Sequence, residues 1–206
     1  MIEVSIDRDR DRAFCEWVAA KRLARMDAKR PGRDTIETTR KGHGRRESIL
    51  DGVLGEAGFA VASGLTWDVT DHGYSVKSHD VGLCQVKTNS RPMRDGRAVG
   101  DLMIPKLGYE GRGSPFVLVY RLAEWRVGLV GYRFAWELDA DRSSRSPVWW
   151  TDEGSERYER RRLRAACWLV PPQDLISIEE LAQWLEAKGF RWRAAANLEA
   201  VAKWRA

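Results

Sequence analysis

Apolar residues recur at three- and four-residue spacing over residues 13–28, which predicts a helix. Phe14, Trp17, Val18 and Ala24 form its expected buried side, with Lys21, Arg22 and Arg25 exposed. Pro31-Gly32 closes it, and residues 33–44 read as a loop ending in Gly42-His43-Gly44. A second helix is expected from Arg45 to Glu56, with Ile49, Val53 and Leu54 as its buried stripe and Gly58 as its stop. Strand-like runs follow at Phe59–Ala62, Thr66–Thr70, Tyr74–Ser78 and Leu83–Thr88. Residues 89–114 are rich in Gly and Arg and read as a loop, either one that grips a substrate beside the candidate site or a plain surface excursion.

The strongest strands are Phe116–Tyr120 and Val127–Tyr132, separated by the short connection Arg121–Arg126 and so expected to pair as an antiparallel hairpin. A short helix at Phe134–Ala140, a loop at Ser143–Trp150 and a strand at Cys167–Val170 come next. Ser177 and Glu180 form a capping box for a helix running to Lys188, with Gly189 as its stop. A last helix is expected over Ala194–Trp204. These elements divide the chain into a basic N-terminal helix and arm (1–41), an α/β core (42–176) and a C-terminal helical appendage (177–206).

The 206 residues are 43% hydrophobic and 32% charged, a globular composition. No apolar run approaches the ~20 residues that a membrane span requires. The start MIEVSIDRDRDRAF lacks the order of a signal peptide, so a cytoplasmic location is expected. Cys15, Cys84 and Cys167 are odd in number, and with His43, His72 and His79 they match no zinc spacing. Cys84 is expected to pack inward as a small hydrophobe. Eight of the ten tryptophans lie at or after Trp125, where core and seam packing outweighs base stacking as their expected role.

Charge is uneven. Residues 1–46 hold 13 Lys and Arg against 8 Asp and Glu, a net of +5 that equals the net charge of the whole chain. Arg40, Lys41, Arg45 and Arg46 stand just ahead of the second helix, and Arg157, Arg160, Arg161, Arg162 and Arg164 form a second cluster. Such basic stripes, at a pI near 9.3, fit DNA or RNA as a partner, and they also fit a solvated helix face.

The segment Asp80-Val81-Gly82-Leu83-Cys84-Gln85-Val86-Lys87-Thr88 carries the candidate chemistry. Strand alternation puts Gln85 and Lys87 on one face. If Val81–Cys84 is a four-residue hairpin loop, Asp80 directly opposes Gln85 on that face. One carboxylate, one amide oxygen and one ammonium then meet, a set able to hold a hard cation and the water it activates.

With the basic arm, the helix bearing Glu47 and the later strands, this segment resembles the PD-(D/E)XK nuclease superfamily. It looks most like small phage and bacterial members with a compact Asp-Val-Gly-x-x-Gln-Val-(Arg/Lys) motif, over residues 42–186. His79-Asp80 stands for the Pro-Asp of that family, Gln85-Val86-Lys87 for its (D/E)-x-K, and Glu47 for its helix-borne acid. The resemblance implies a restriction-endonuclease-like mixed β-sheet flanked by helices. It also implies a Mg²⁺-dependent deoxyribonuclease, with Mn²⁺ able to substitute, that hydrolyses DNA phosphodiester bonds as a restriction-like, nicking or junction-resolving endonuclease. Asp80, Gln85 and the Val86 carbonyl would hold the metal, with Glu47 bound directly or through water and Lys87 positioning the attacking water. Asp68 is the rival for the place of Asp80. A junction-resolving enzyme requires a two-fold homodimer. Gln85 replaces a carboxylate, which leaves open a catalytically inactive nucleic-acid-binding protein on the same fold. A protein-interaction factor using the Trp-rich C-terminal half is the third reading.

Overall fold

A computed structural model of the chain describes residues 1–29, 45–69, 79–90, 93–94, 97–98, 100–105, 113–141, 149–151 and 167–203. Its centre is a four-stranded mixed sheet of β1 (Ile2–Ser5), β8 (Arg126–Phe134), β7 (Pro115–Ala123) and β3 (Gln85–Asn89), in that spatial order. β1 and β7 flank β8 antiparallel, and β3 adds to β7 in parallel as the last strand of the sheet among the described residues, the expected strand Tyr74–Ser78 lying outside them. The runs expected at Leu83–Thr88, Phe116–Tyr120 and Val127–Tyr132 thus share one sheet, and β7 and β8 form the expected hairpin.

Alternation along β7 divides the interior in two. Val117 and Val119 point into a core built with α1 (Asp9–Lys29), α2 (Arg45–Ser63) and α4 (Ile178–Ala187). Phe116, Leu118 and Tyr120 point the other way, onto Leu102, Ile104, Leu138, Trp168 and Val170. That second layer contains α3 (Ala135–Asp141) and a three-stranded antiparallel sheet of β6 (Leu102–Pro105), β10 (Cys167–Val170) and β9 (Trp149–Thr151). The fold is therefore mixed α/β, with helices flanking a mixed sheet. The span 89–114, expected to be a loop, contains β4 (Met93–Arg94), β5 (Arg97–Ala98) and β6.

α2 is two turns longer than expected, and Phe59–Ala62 belongs to it rather than to a strand. Gly58 is no stop. A Cβ there would press on the Val127 side chain, so this glycine lets α2 lie close to β8. The true stop is Gly64, whose φ of +68° reverses the chain and whose N–H bonds the Ala60 carbonyl at 2.8 Å. In α1 the buried apolar positions are Cys15, Val18 and Ala19, whereas Trp17 (43% exposed) and Ala24 face solvent. Arg22, expected outside, has only 14% of its side chain exposed.

Ser177 caps α4 as expected, accepting the Glu180 N–H at 3.2 Å, and Gly189 follows the helix with φ +86°. Leu181 and Leu185 bury fully in the same core as Val53 and Leu54, each worth roughly 1.5–3 kcal/mol. The residues after 177 thus share the main core. No helix forms over the described part of 194–204: the chain there turns and enters β11 (Ala202–Lys203), parallel to β2 (Trp67–Asp68). This stretch straps α2, with the Arg193 N–H on the Ser63 carbonyl at 2.9 Å and the Ala195 N–H on the Val61 carbonyl at 2.7 Å. Backbone bonding to α2 and β2 takes the place of intrahelical bonding. Among the described residues, no helix is long and apolar enough to cross a membrane.

Candidate active site

The segment that enters β3 is a tight turn. Val81 and Cys84 close on each other, the Cys84 N–H meeting the Val81 carbonyl at 2.8 Å. Gly82 supplies the positive φ of +58° that the reversal needs. The turn is pinned from outside: the Gly82 N–H bonds the Thr66 carbonyl at 2.8 Å, and the Asp68 N–H bonds the Asp80 carbonyl at 3.0 Å. Cys84 is fully buried, as expected.

Beyond the turn the Asp80 carboxylate takes over the ladder. Its Oδ2 accepts the Val86 N–H at 2.7 Å, where a hairpin partner would present a backbone carbonyl. The Val81–Cys84 pairing continues in register to Asp80 and Gln85, and the Asp80 carboxylate lies along the edge of β3 that no described strand pairs with. The same bond orients Val86. In a strand the N–H and C=O of one residue point to the same side, so the Val86 carbonyl also faces this edge, away from β7.

Gln85 and Lys87 share a face, as alternation requires, and their partners in β7 are Phe116 and Leu118. Gln85 is buried and Lys87 half-buried. Val86 and Thr88 face α2 on the opposite side, and Thr88 touches the α2 backbone at Gly55. The edge of β3 is thus where Asp80, the Gln85–Lys87 face and the α2 face all meet.

The helix acid at this edge is Glu56. Glu47 lies exposed in the first turn of α2, nine residues and ~13.5 Å earlier along the axis. Glu56 is only 7% exposed and is gripped from two directions. Arg22 of α1 donates to both of its oxygens, at 2.8 and 2.6 Å, and the Trp67 indole N–H donates to Oε2 at 2.9 Å. Trp67 also bridges to Val81, the residue after Asp80. Burial first, and then the Glu56 charge, push the Asp80 carboxyl up from 3.8 to about 6, against the opposing pull of Lys87, the Val86 N–H and Arg22. Glu56 could have been found in the sequence. It stands three residues after Val53 and four before Ala60, inside the buried stripe, where an acid requires a partner.

Asp68 is buried on β2 beside Asp80, joined to it through the backbone. Arg46 is exposed at the start of α2, while Arg40, Lys41, the Arg45 side chain and the cluster 157–164 lie outside the described residues.

Among the described residues, no group of three His, Cys, Asp or Glu is placed to hold a metal ion. The oxygens that Asp80, Val86 and Gln85 bring to this segment are a carboxylate, a carbonyl and a side-chain amide. These are all oxygens with a single negative charge, a set suited to Mg²⁺, which keeps several of its waters. Compared with known proteins, the chain matches no protein family, no curated protein and no solved structure.

Proposed function

We propose that the protein is a Mg²⁺-dependent endodeoxyribonuclease of the restriction-endonuclease-like kind, with its site at the edge of β3. The observation that carries this reading is the placement of Asp80. Its carboxylate is fixed by the Val86 N–H beside an outward carbonyl, and its pKa is raised by burial and by a second buried acid. A buried carboxylate that carries its charge at a cost is relieved by a cation. Asp80, the Val86 carbonyl and Gln85 would hold the ion. When bound, Mg²⁺ lowers the pKa of a coordinated water and stabilises charge on the scissile phosphate. The chain's own residues do the rest: Lys87 orients the attacking water, Gln85 and Asp80 fix the reacting edge, and Arg46 with the preceding basic residues draws in the DNA backbone.

One observation favours a second reading, a DNA-binding protein without turnover. Gln85 contributes no charge, and both Glu56 oxygens are already engaged, so the edge offers an ion little negative charge beyond that of Asp80. Plasmid and branched-DNA substrates with Mg²⁺, Mn²⁺ or EDTA separate the two. Metal-dependent cleavage that EDTA abolishes supports the nuclease. Salt-sensitive binding without cleavage of any substrate supports the inactive protein.

A further inference from the structure

Arg22 and Glu56 are buried charges close to the Asp80 edge that the mechanism above leaves unused. Their pairing is bidentate, and the side chains are 14% and 10% exposed. Trp67 occupies Glu56 Oε2 from the other side and is itself tied to Val81. Both Glu56 oxygens are therefore held by protein donors, with three bonds on a group that has about four acceptor sites, and Trp67 links this carboxylate to the turn that carries Asp80. A guanidinium is permanently charged and geometrically matched to a carboxylate.

Resting on the assignment of the metal to the Asp80 edge, we infer that Arg22 occupies the position of a second cation. In this arrangement the guanidinium neutralises Glu56 and withholds it from metal, so the site takes one divalent ion through Asp80. The N-terminal helix α1 is then part of the site, setting how many metal ions it accepts. Arg22 is a positioning residue, acting through Glu56.

Mn²⁺ binding to the full-length protein, measured calorimetrically and by the loss of free-ion paramagnetic resonance, tests this without any cleavage assay. The unmodified protein is expected to bind one Mn²⁺, and Asp80→Asn to lose it. Glu56→Gln, which keeps the shape but removes the charge, should leave affinity within about threefold. Arg22→Met should expose Glu56 and tighten binding by about tenfold or add a second ion, since affinity follows the number of charged ligands. Because that variant strands a buried carboxylate, Arg22→Met/Glu56→Gln is the folded control, expected to return to one ion at unmodified affinity. Loss of Mn²⁺ binding in Glu56→Gln, with Asp80→Asn also failing to bind, would overturn the masking role and leave the nuclease site standing. Full binding in Asp80→Asn would instead remove the site assignment, and the inference with it. So would an absence of Mn²⁺ binding in both the unmodified protein and Arg22→Met.

Discussion

Gly55 of α2 faces Thr88 of β3 so closely that a methyl group at Gly55 would overlap the Thr88 hydroxyl. This approach sets the distance between helix and strand, and so the reach of Glu56, the next residue, toward Asp80. Gly55→Ala should therefore destabilise by about 1–3 kcal/mol through overpacking, read as a lower urea midpoint. Adding Thr88→Ala should recover part of the loss. A Gly55→Ala variant as stable as the parent would mean that helix and strand are not firmly packed together.

Thr88 Oγ1 is buried and has no hydrogen-bond partner among the described residues. Thr88→Val keeps the shape and removes the stranded hydroxyl. It should be neutral or raise stability by up to about 1 kcal/mol. A clear loss of stability would reveal a partner for that hydroxyl.

Lys87→Met retains the aliphatic stem, so thermal unfolding should hardly change while metal-dependent DNA cleavage falls by about 10²–10⁴-fold. Asp80→Asn should do the same, Asp68→Asn should leave substantial cleavage, and Gln85→Glu should tighten the ion and keep activity. Full activity in Lys87→Met would sink the mechanism. Loss confined to Asp68→Asn would move the acid to β2.

Stability should depend on pH through Asp80. Its carboxyl is raised from 3.8 to about 6 by burial and by Glu56, so the folded state binds this proton more tightly than the unfolded state. The contribution is fully present below about 4 and is lost as pH rises through about 6, up to about 3 kcal/mol before solvent screening reduces it. Urea titrations should show Asp80→Asn gaining on the parent as pH climbs from 4 to 7. Stabilisation of the parent by Mn²⁺ should grow over the same interval, because the ion competes with the proton. A parent-minus-variant difference that is flat with pH would contradict the crowding of two acids at this edge.

Joint replacement of Arg40, Lys41, Arg45 and Arg46 by Ala should weaken DNA binding for every sequence. The salt slope should fall by ~0.9 for each phosphate that the protein ceases to neutralise. An unchanged slope would return these residues to an ordinary solvated surface.

The strands at the centre were legible because Phe116–Tyr120 and Val127–Tyr132 are continuous apolar runs, the pattern of strands covered on both faces. The end of α2 was not. Phe59–Ala62 is an apolar run that periodicity cannot assign to helix or strand, and Gly58 looks like a stop when its role is close packing on Val127. The turn bearing Asp80 was visible in Gly82, but the use of the Asp80 side chain as a ladder acceptor depends on how residues 66–68 hold it, an interaction between segments distant in sequence. The place of Glu56 in the buried stripe was visible, but its partners were hidden for the same reason, since they come from α1 and β2. Trp17 misled because α1 carries apolar residues on its solvent face too.

The pairing of β11 with β2 joins residues 202–203 to residues 67–68, which flank the Asp80 turn. During synthesis, β2 emerges from the ribosome long before its neighbour does. Until the strap arrives, the backbone at Trp67 lacks the Val201 carbonyl that fixes it, at 2.8 Å in the finished fold. The wall behind the site is therefore completed late, and a nascent chain stopped short of residue 198 would carry every candidate catalytic side chain with a loosely held floor beneath them.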